Sequence, residues 1–139
     1  MASFGIDIGG SGIKGAPVDL STGTMISPRF RLPTPNEAKP KDVTEVVAQV
    51  VQYFNWKGKV GCGFPAVIRQ GIALTAANVD HTWINTNIDQ LFTEATQCPT
   101  KVINDADAAG LAEMAFGAGK GWDKGVVMLV TVGTGLGTS

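Results

Sequence analysis

Two short glycine-rich segments, Gly9-Gly10-Ser11-Gly12 and Gly133-Thr134-Gly135-Leu136-Gly137, each follow directly on an apolar run, and this pairing constrains the chain more than any other feature. The first run is SFGIDI, residues 3–8, and the second is VVMLVTV, residues 126–132. Runs of this kind bounded by glycine read as strands. Glycine admits positive φ and close approach of a ligand, so successive backbone N–H groups can face an anion. One such segment is explained by a simple hairpin turn. Two of them, both after strands, point to a pair of anion cradles. Neither has the GxxxxGK[ST] spacing of a Walker A loop, and the first opens a strand instead of the helix that a dinucleotide fingerprint requires.

Charge composition makes the loops matter more. Eleven basic residues stand against twelve acidic ones, a formal charge of -1, so the chain has no broad positive field to collect nucleic acid or an anionic membrane. Any anion site must therefore be local. Cys62 and Cys98 form no CxxC pair and His81 is the only histidine, which leaves no sequence-local zinc framework and makes both cysteines candidates for inert, buried thiols. The N-terminus has no signal-peptide pattern, and no apolar run approaches the ~20 residues of a membrane span, so a cytoplasmic protein is expected. A length of 139 residues suits one compact domain.

Between the two glycine segments the pattern alternates strand and helix. IKGAPVDL reads as a second strand pairing with the first, and MISPRFRLPTP as a third whose Pro33 and Pro35 push its latter part to an edge or loop. Val43, Val46, Val47, Val50, Val51 and Phe54 recur at helical spacing. KVGCGFP reads as a strand, VIRQGIALT as a small hairpin, Ile88 to Gln97 as a short helix, Lys101 to Asn104 as a strand and Ala106 to Phe116 as a helix. The stretch GVVMLVTV reads as a buried strand before the second glycine turn. A chain that stops within such a turn is expected to be a truncated one.

Each polar cluster carries two readings. Asp7, before the first glycine turn, can hold a hydrated Mg²⁺ that bridges to phosphate oxygens, and Lys14, after it, can neutralise further charge. Ser11 adds a hydroxyl donor. Asp105, in VINDADAA, stands where a carboxylate can accept a proton from a substrate hydroxyl. Either Asp105 or Asp107 can instead be no more than the N-cap of the following helix, and Asp107 is the better candidate for that. The segment Gly63-Phe64-Pro65-Ala66, with Asn78, gathers loop groups suited to a polyol, or serves only turns while Trp83 packs in the core.

Taken together, DIGGSGIKG, GFPAVI, NDADAAGLAE and TVGTGLGTS, in this order and spacing, resemble the ROK family of sugar kinases within the actin-like ATPase superfamily. The wording around GIALTAANVDHTW is similar to that family's polyphosphate-dependent glucokinases. The resemblance implies an RNase H-like α/β fold, a mixed sheet with an antiparallel N-terminal meander flanked by helices. By the same resemblance, Asp7, Gly9, Gly10, Ser11, Gly12 and Lys14 match a first phosphate motif, and Thr131, Gly133, Thr134, Gly135 and Gly137 a second. Asp105 matches the general base and Asn104 a ligand of sugar hydroxyls, while Pro65 and Asn78 fall in segments near the sugar. The implied reaction moves a phosphoryl group from polyphosphate or ATP to the 6-hydroxyl of glucose, or mannose, with Mg²⁺ offsetting phosphate charge. Residues 1–139 would then be the N-terminal half of the enzyme, inactive alone because a second domain supplies the rest of the cleft. A homodimer is expected when the protein is full length. The alternative within the same family is a non-catalytic sugar-sensing domain of a regulator.

Overall fold

The computed structural model describes the backbone of residues 1–132 and 136–138, and side chains through residue 130. A six-stranded sheet organises the described residues: β1 (Ala2–Ile8), β2 (Gly12–Asp19), β3 (Thr24–Met25), β4 (Phe30–Pro33), β5 (Val60–Phe64) and β8 (Thr100–Asn104). A hairpin of β6 (Ile68–Arg69) and β7 (Ile72–Ala73) stands apart. β1 lies at the centre. It pairs antiparallel with β2 and parallel with β5, and β5 pairs parallel with β8. The meander expected at the N-terminus is present, with one refinement: the proline-rich third strand is two short ones. β3 and β4 both pair with β2, at opposite ends of its free edge, because Pro28 between them cannot continue a ladder.

Alternation along β1 decides which layer covers which face. Phe4, Ile6 and Ile8 are buried, whereas on the other side Ser3 is half-buried and Asp7 exposed. The buried face receives α1 (Pro40–Tyr53), whose Val43, Val47, Val50 and Val51 all lie inward, and α2 (Ile88–Thr96), which packs on α1. Pro40 opens α1, where its missing N–H costs nothing. Asn87 caps α2 by accepting from the Gln90 N–H at 3.1 Å, and Gln97 at φ 56° ends it. Trp83, Phe64 and Phe92 fill the layer between, with ring centroids of Phe64 and Trp83 4.7 Å apart. On the opposite face α3 (Asp105–Phe116) meets β5 and β8.

The end of the chain departs from expectation. Residues 126–129 form no strand, and only β9 (Val130–Val132) and β10 (Leu136–Thr138) pair, as a two-stranded sheet of their own. The apolar run expected to be buried is exposed: Val126 at 98% and Met128 at 73%, with Trp122 at 70% beside them. Leu111 on α3 is 64% exposed, and no residue of α3 is buried. The buried strand expected there is not formed over residues 126–129, and among the described residues no layer covers the run.

Gly15 sets how closely α1 can approach. A Cβ there would lie 2.7 Å from the Phe4 ring and 2.8 Å from Val50 Cγ1, both core atoms with no room to yield. Gly15→Ala is therefore expected to destabilise the chain by about 1–3 kcal/mol in urea unfolding. Gly61→Ala, where nothing lies within 4 Å of the added carbon, serves as the near-neutral control.

Candidate active site

The three parallel strands β1, β5 and β8 all end on the same edge of the sheet, at Ile8, Phe64 and Asn104. Sites in open α/β sheets form beyond such carboxyl ends. The first glycine turn leaves β1 there. Three of its four carbonyls are engaged: Gly12 O accepts from Gly9 N–H at 2.9 Å, Gly9 O from the Thr34 hydroxyl at 2.6 Å, and Ser11 O from Arg31 Nη2 at 2.7 Å. Among the described residues nothing accepts from the N–H groups of Gly10 and Ser11. A turn with most carbonyls occupied and free, exposed N–H groups is a receptor for an anion.

Beside it lies a cleft of about 480 Å³, within the range of small-molecule sites. Gly9, Gly10, Pro65 and Asn78, four residues singled out in the sequence, line it together. Thr34 to Ala38 form its opposite wall, a segment with Glu37 and Ala38 at positive φ, tied to the core by Trp83 Nε1 donating to Ala38 O at 2.6 Å. Asp80 also lines the cleft. The Thr82 hydroxyl and backbone N–H, both donating to its carboxylate, hold that group below the usual carboxylate range. With Glu37, Asp80 and Asn78 at its walls the cleft offers acceptors and amide groups, which suit a neutral, hydroxyl-rich ligand better than an anion.

Asp7, Gly63 and Ile103 stand side by side in the parallel register, and Lys14 and Arg31 extend that row across β2 and β4. Lys14 Nζ sits 3.1 Å from Asp7 Oδ2, so the lysine expected to meet phosphate faces the carboxylate expected to meet a metal. Gly63 lies directly beneath the start of α3: a carbon added there would lie 3.4 Å from Asp105 Cα, in ordinary contact. Asp105 thus reaches the same face as Asp7, and both are exposed. A Mg²⁺ ion that keeps most of its water needs only one or two carboxylates, and exposed carboxylates stand here at Asp7 and Asp105. No cluster of three or more His, Cys, Asp or Glu side chains occurs among the described residues.

The cap of α3 is Asn104, which corrects the expectation that Asp107 fills that role. Asn104 Oδ1 accepts from Ala106 N at 2.9 Å and Asp107 N at 3.2 Å, and its Nδ2 donates to Ala66 O at 2.8 Å. Helix begins at Asp105, so the residue just before it, with extended φ and ψ, is the one whose side chain can turn back onto free N–H groups. Asn104 keeps a single N–H for a ligand. Asp105 Oδ1 accepts from the adjacent Ala106 N at 2.8 Å, leaving its second oxygen free.

Gly133, Thr134 and Gly135 of the second phosphate motif lie outside the described residues, while Thr131 and Gly137 fall in β9 and β10. Both cysteines are buried and free, and burial pushes the Cys62 thiol far above its usual range. Other recesses among the described residues include one of about 670 Å³ along α3, lined by Leu111, Met114, Trp122 and Val126, one at the opposite ends of the strands around Lys59, Asp89 and Lys101, and a smaller one on the sheet face beside Asp7 and Lys14. Sequence reading missed Arg31, Thr34 and Asp80. Only their placement beside β2 and the 3-10 turn at Trp83 reveals them, and no local motif announced either.

Residues 3–139 match the ROK family, and the chain belongs to it. It is 50% identical over 137 residues to a polyphosphate glucokinase of Mycobacterium tuberculosis, covering 98% of this chain and 51% of that protein. In structure it is similar to the inorganic polyphosphate/ATP-glucomannokinase of Arthrobacter sp. strain KM, with a TM-score of 0.93 and 49% identity over 99% of this chain and 56% of that one. A ROK family glucokinase from Streptomyces griseus, in complex with glucose and AMPPNP, gives a TM-score of 0.85 at 31% identity, over 99% of this chain and 43% of that one. The fold is the actin-like ATPase fold of the ROK sugar kinases. The chain spans about half the length of the curated relatives it matches.

Asn104→Ala removes the cap of α3 and its tie to Ala66 together, and is expected to cost about 1–2 kcal/mol by thermal or urea unfolding. Asn104→Asp keeps the accepting oxygen but sets a carboxylate oxygen against Ala66 O, so it should recover only the part of that loss that belongs to the cap.

Proposed function

We propose that this chain forms one wall of a sugar kinase that transfers the terminal phosphoryl group of polyphosphate or ATP to the 6-hydroxyl of glucose, with mannose as a second acceptor. The observation that carries this reading is the meeting, at one sheet edge, of a turn with free N–H groups, a polar cleft and an exposed carboxylate. The names of the relatives support it: a polyphosphate glucokinase, a polyphosphate/ATP-glucomannokinase and a glucokinase with glucose and AMPPNP. No observation favours the regulator alternative.

In this reading the sugar occupies the cleft between Pro65, Asn78 and the Thr34–Ala38 wall, with the remaining N–H of Asn104 directed to a hydroxyl. The donor's phosphates rest on Gly10 and Ser11 N–H. Asp105 takes the proton of the 6-hydroxyl as that oxygen bonds to phosphorus, and the bond from phosphorus to the rest of the donor breaks, the electron pair leaving with the donor. Mg²⁺, when bound near Asp7, would supply charge compensation on the phosphate oxygens. Such chemistry depends chiefly on position and on donors aimed at developing charge. We also infer that a second unit, in the half of the relatives' length that this chain does not span, covers the exposed apolar face of α3 and Val126 to Met128.

Glucose 6-phosphate formation by the full-length protein, with polyphosphate and with ATP, tests the assignment. Asp105→Asn is expected to lower kcat by about 10²–10⁴-fold, the usual worth of a general base. Product from neither donor, or a mutant as active as the parent, would sink it. Residues 1–139 alone are expected to give no product in the same assay.

A further inference from the structure

The glycine turn has the freedom to fail at its proposed task. Each peptide of Gly9-Gly10-Ser11-Gly12 has a glycine on at least one side, so little steric cost opposes rotating a peptide plane by half a turn. A rotated plane would present a carbonyl oxygen, instead of an N–H, to the phosphate. Nothing within the turn prevents that except the bond from Gly9 N–H to Gly12 O. The restraint comes from another strand.

Arg31 and Thr34, at the end of β4, reach across β2 to the turn. The Thr34 hydroxyl donates to Gly9 O at 2.6 Å, which fixes the plane that carries Gly10 N–H. Arg31 Nη2 donates to Ser11 O at 2.7 Å, and Thr34 N–H approaches the same oxygen at 3.4 Å. These bonds fix the Gly9 and Ser11 carbonyls, and so the two peptide planes that flank the Gly10–Ser11 peptide. Gly12 makes room for the contact, because a side chain there would collide with the Arg31 guanidinium. Thr34 in turn begins the wall that Trp83 fastens to the core through Ala38.

We propose that Arg31 and Thr34 are positioning residues for phosphate-donor binding, holding the peptide planes of the first glycine turn in the orientation that receives an anion. The proposal rests on the reading of that turn as the phosphate receptor. It assigns Thr34 a role through its hydroxyl and Arg31 a role through its reach to Ser11 O, beyond the charge it carries.

The test uses the full-length protein with tripolyphosphate, polyphosphate or ATP as donor. Thr34→Val removes the hydroxyl at nearly constant volume and is expected to raise KM for the donor about tenfold or more, well beyond its effect on KM for glucose, whose cleft Thr34 also lines. Arg31→Gln, outside that cleft, should raise the donor KM and leave the glucose KM within twofold. Thr34→Ser should restore the donor KM. Arg31→Lys keeps the charge but loses the planar fork, and should fall with Arg31→Gln instead of with the parent. A donor KM unchanged in Thr34→Val, or equal impairment of Thr34→Ser and Thr34→Val, would overturn the proposal. So would an equal rise in both KM values, the sign of general damage to the cleft. If the parent protein itself transfers no phosphoryl group, the functional reading fails first and takes this one with it. Circular dichroism melts of each variant show whether the fold has survived.

Discussion

Parallel pairing of β1, β5 and β8 is the constraint on which the rest depends. Because the register runs straight across, Ile6, Cys62 and Val102 lie side by side, and so do Asp7, Gly63 and Ile103. The strands therefore release their chains at one edge and one level. Glycine turn, polyol cleft and α3 are neighbours for that reason alone, although their residues are far apart in sequence. The connections that parallel strands require also place α1 and α2 on one face, which seals the core and leaves the other face for Asp7, Lys14 and the start of α3.

Glycine serves opposite purposes at two places on this framework. At Gly15 it permits the close approach of α1 to the sheet. In the turn at Gly9–Gly12 it allows too much, and side chains from β4 must take the freedom back. The expense of ordering a glycine turn is conformational entropy, and hydrogen bonds from Arg31 and Thr34 help to offset it before any ligand arrives. A binding loop already ordered loses less on binding.

Most of the framework was legible in the sequence because it rests on local signals. The β1–β2 hairpin, the valine stripe of α1, the Gln70-Gly71 turn of the β6–β7 hairpin and the strand at Val60 each follow from periodicity or turn chemistry, and each stands where it was expected. What local signals cannot give is the identity of neighbours. Arg31 and Thr34 sit in a proline-rich stretch that reads as an edge, and their partners in the glycine turn lie 20 and 25 residues earlier. The cap of α3 was misassigned for a related reason. Asp107 and Asn104 are both good capping residues, and choosing between them needs the residue at which helix begins, a boundary that propensity sets poorly. The burial expected for residues 126–130 failed because hydrophobicity reports a preference for cover without saying what provides it.

The electrostatic economy of the site follows from the chain's near-zero net charge. Asp7, Asp105, Asp80 and Glu37 all face the edge where a polyanion is proposed to bind. Lysines or arginines placed among them would attract phosphate, but they would also pair with these carboxylates, as Lys14 already does with Asp7. A carboxylate locked in an ion pair is less available to take a proton. Backbone N–H groups avoid that conflict: they stabilise negative charge through fixed dipoles, cannot migrate to a neighbouring carboxylate, and need no ionised partner. An anion receptor built of peptide planes and a base built of a side chain can then work at the same sheet edge, provided that the planes are held the right way round.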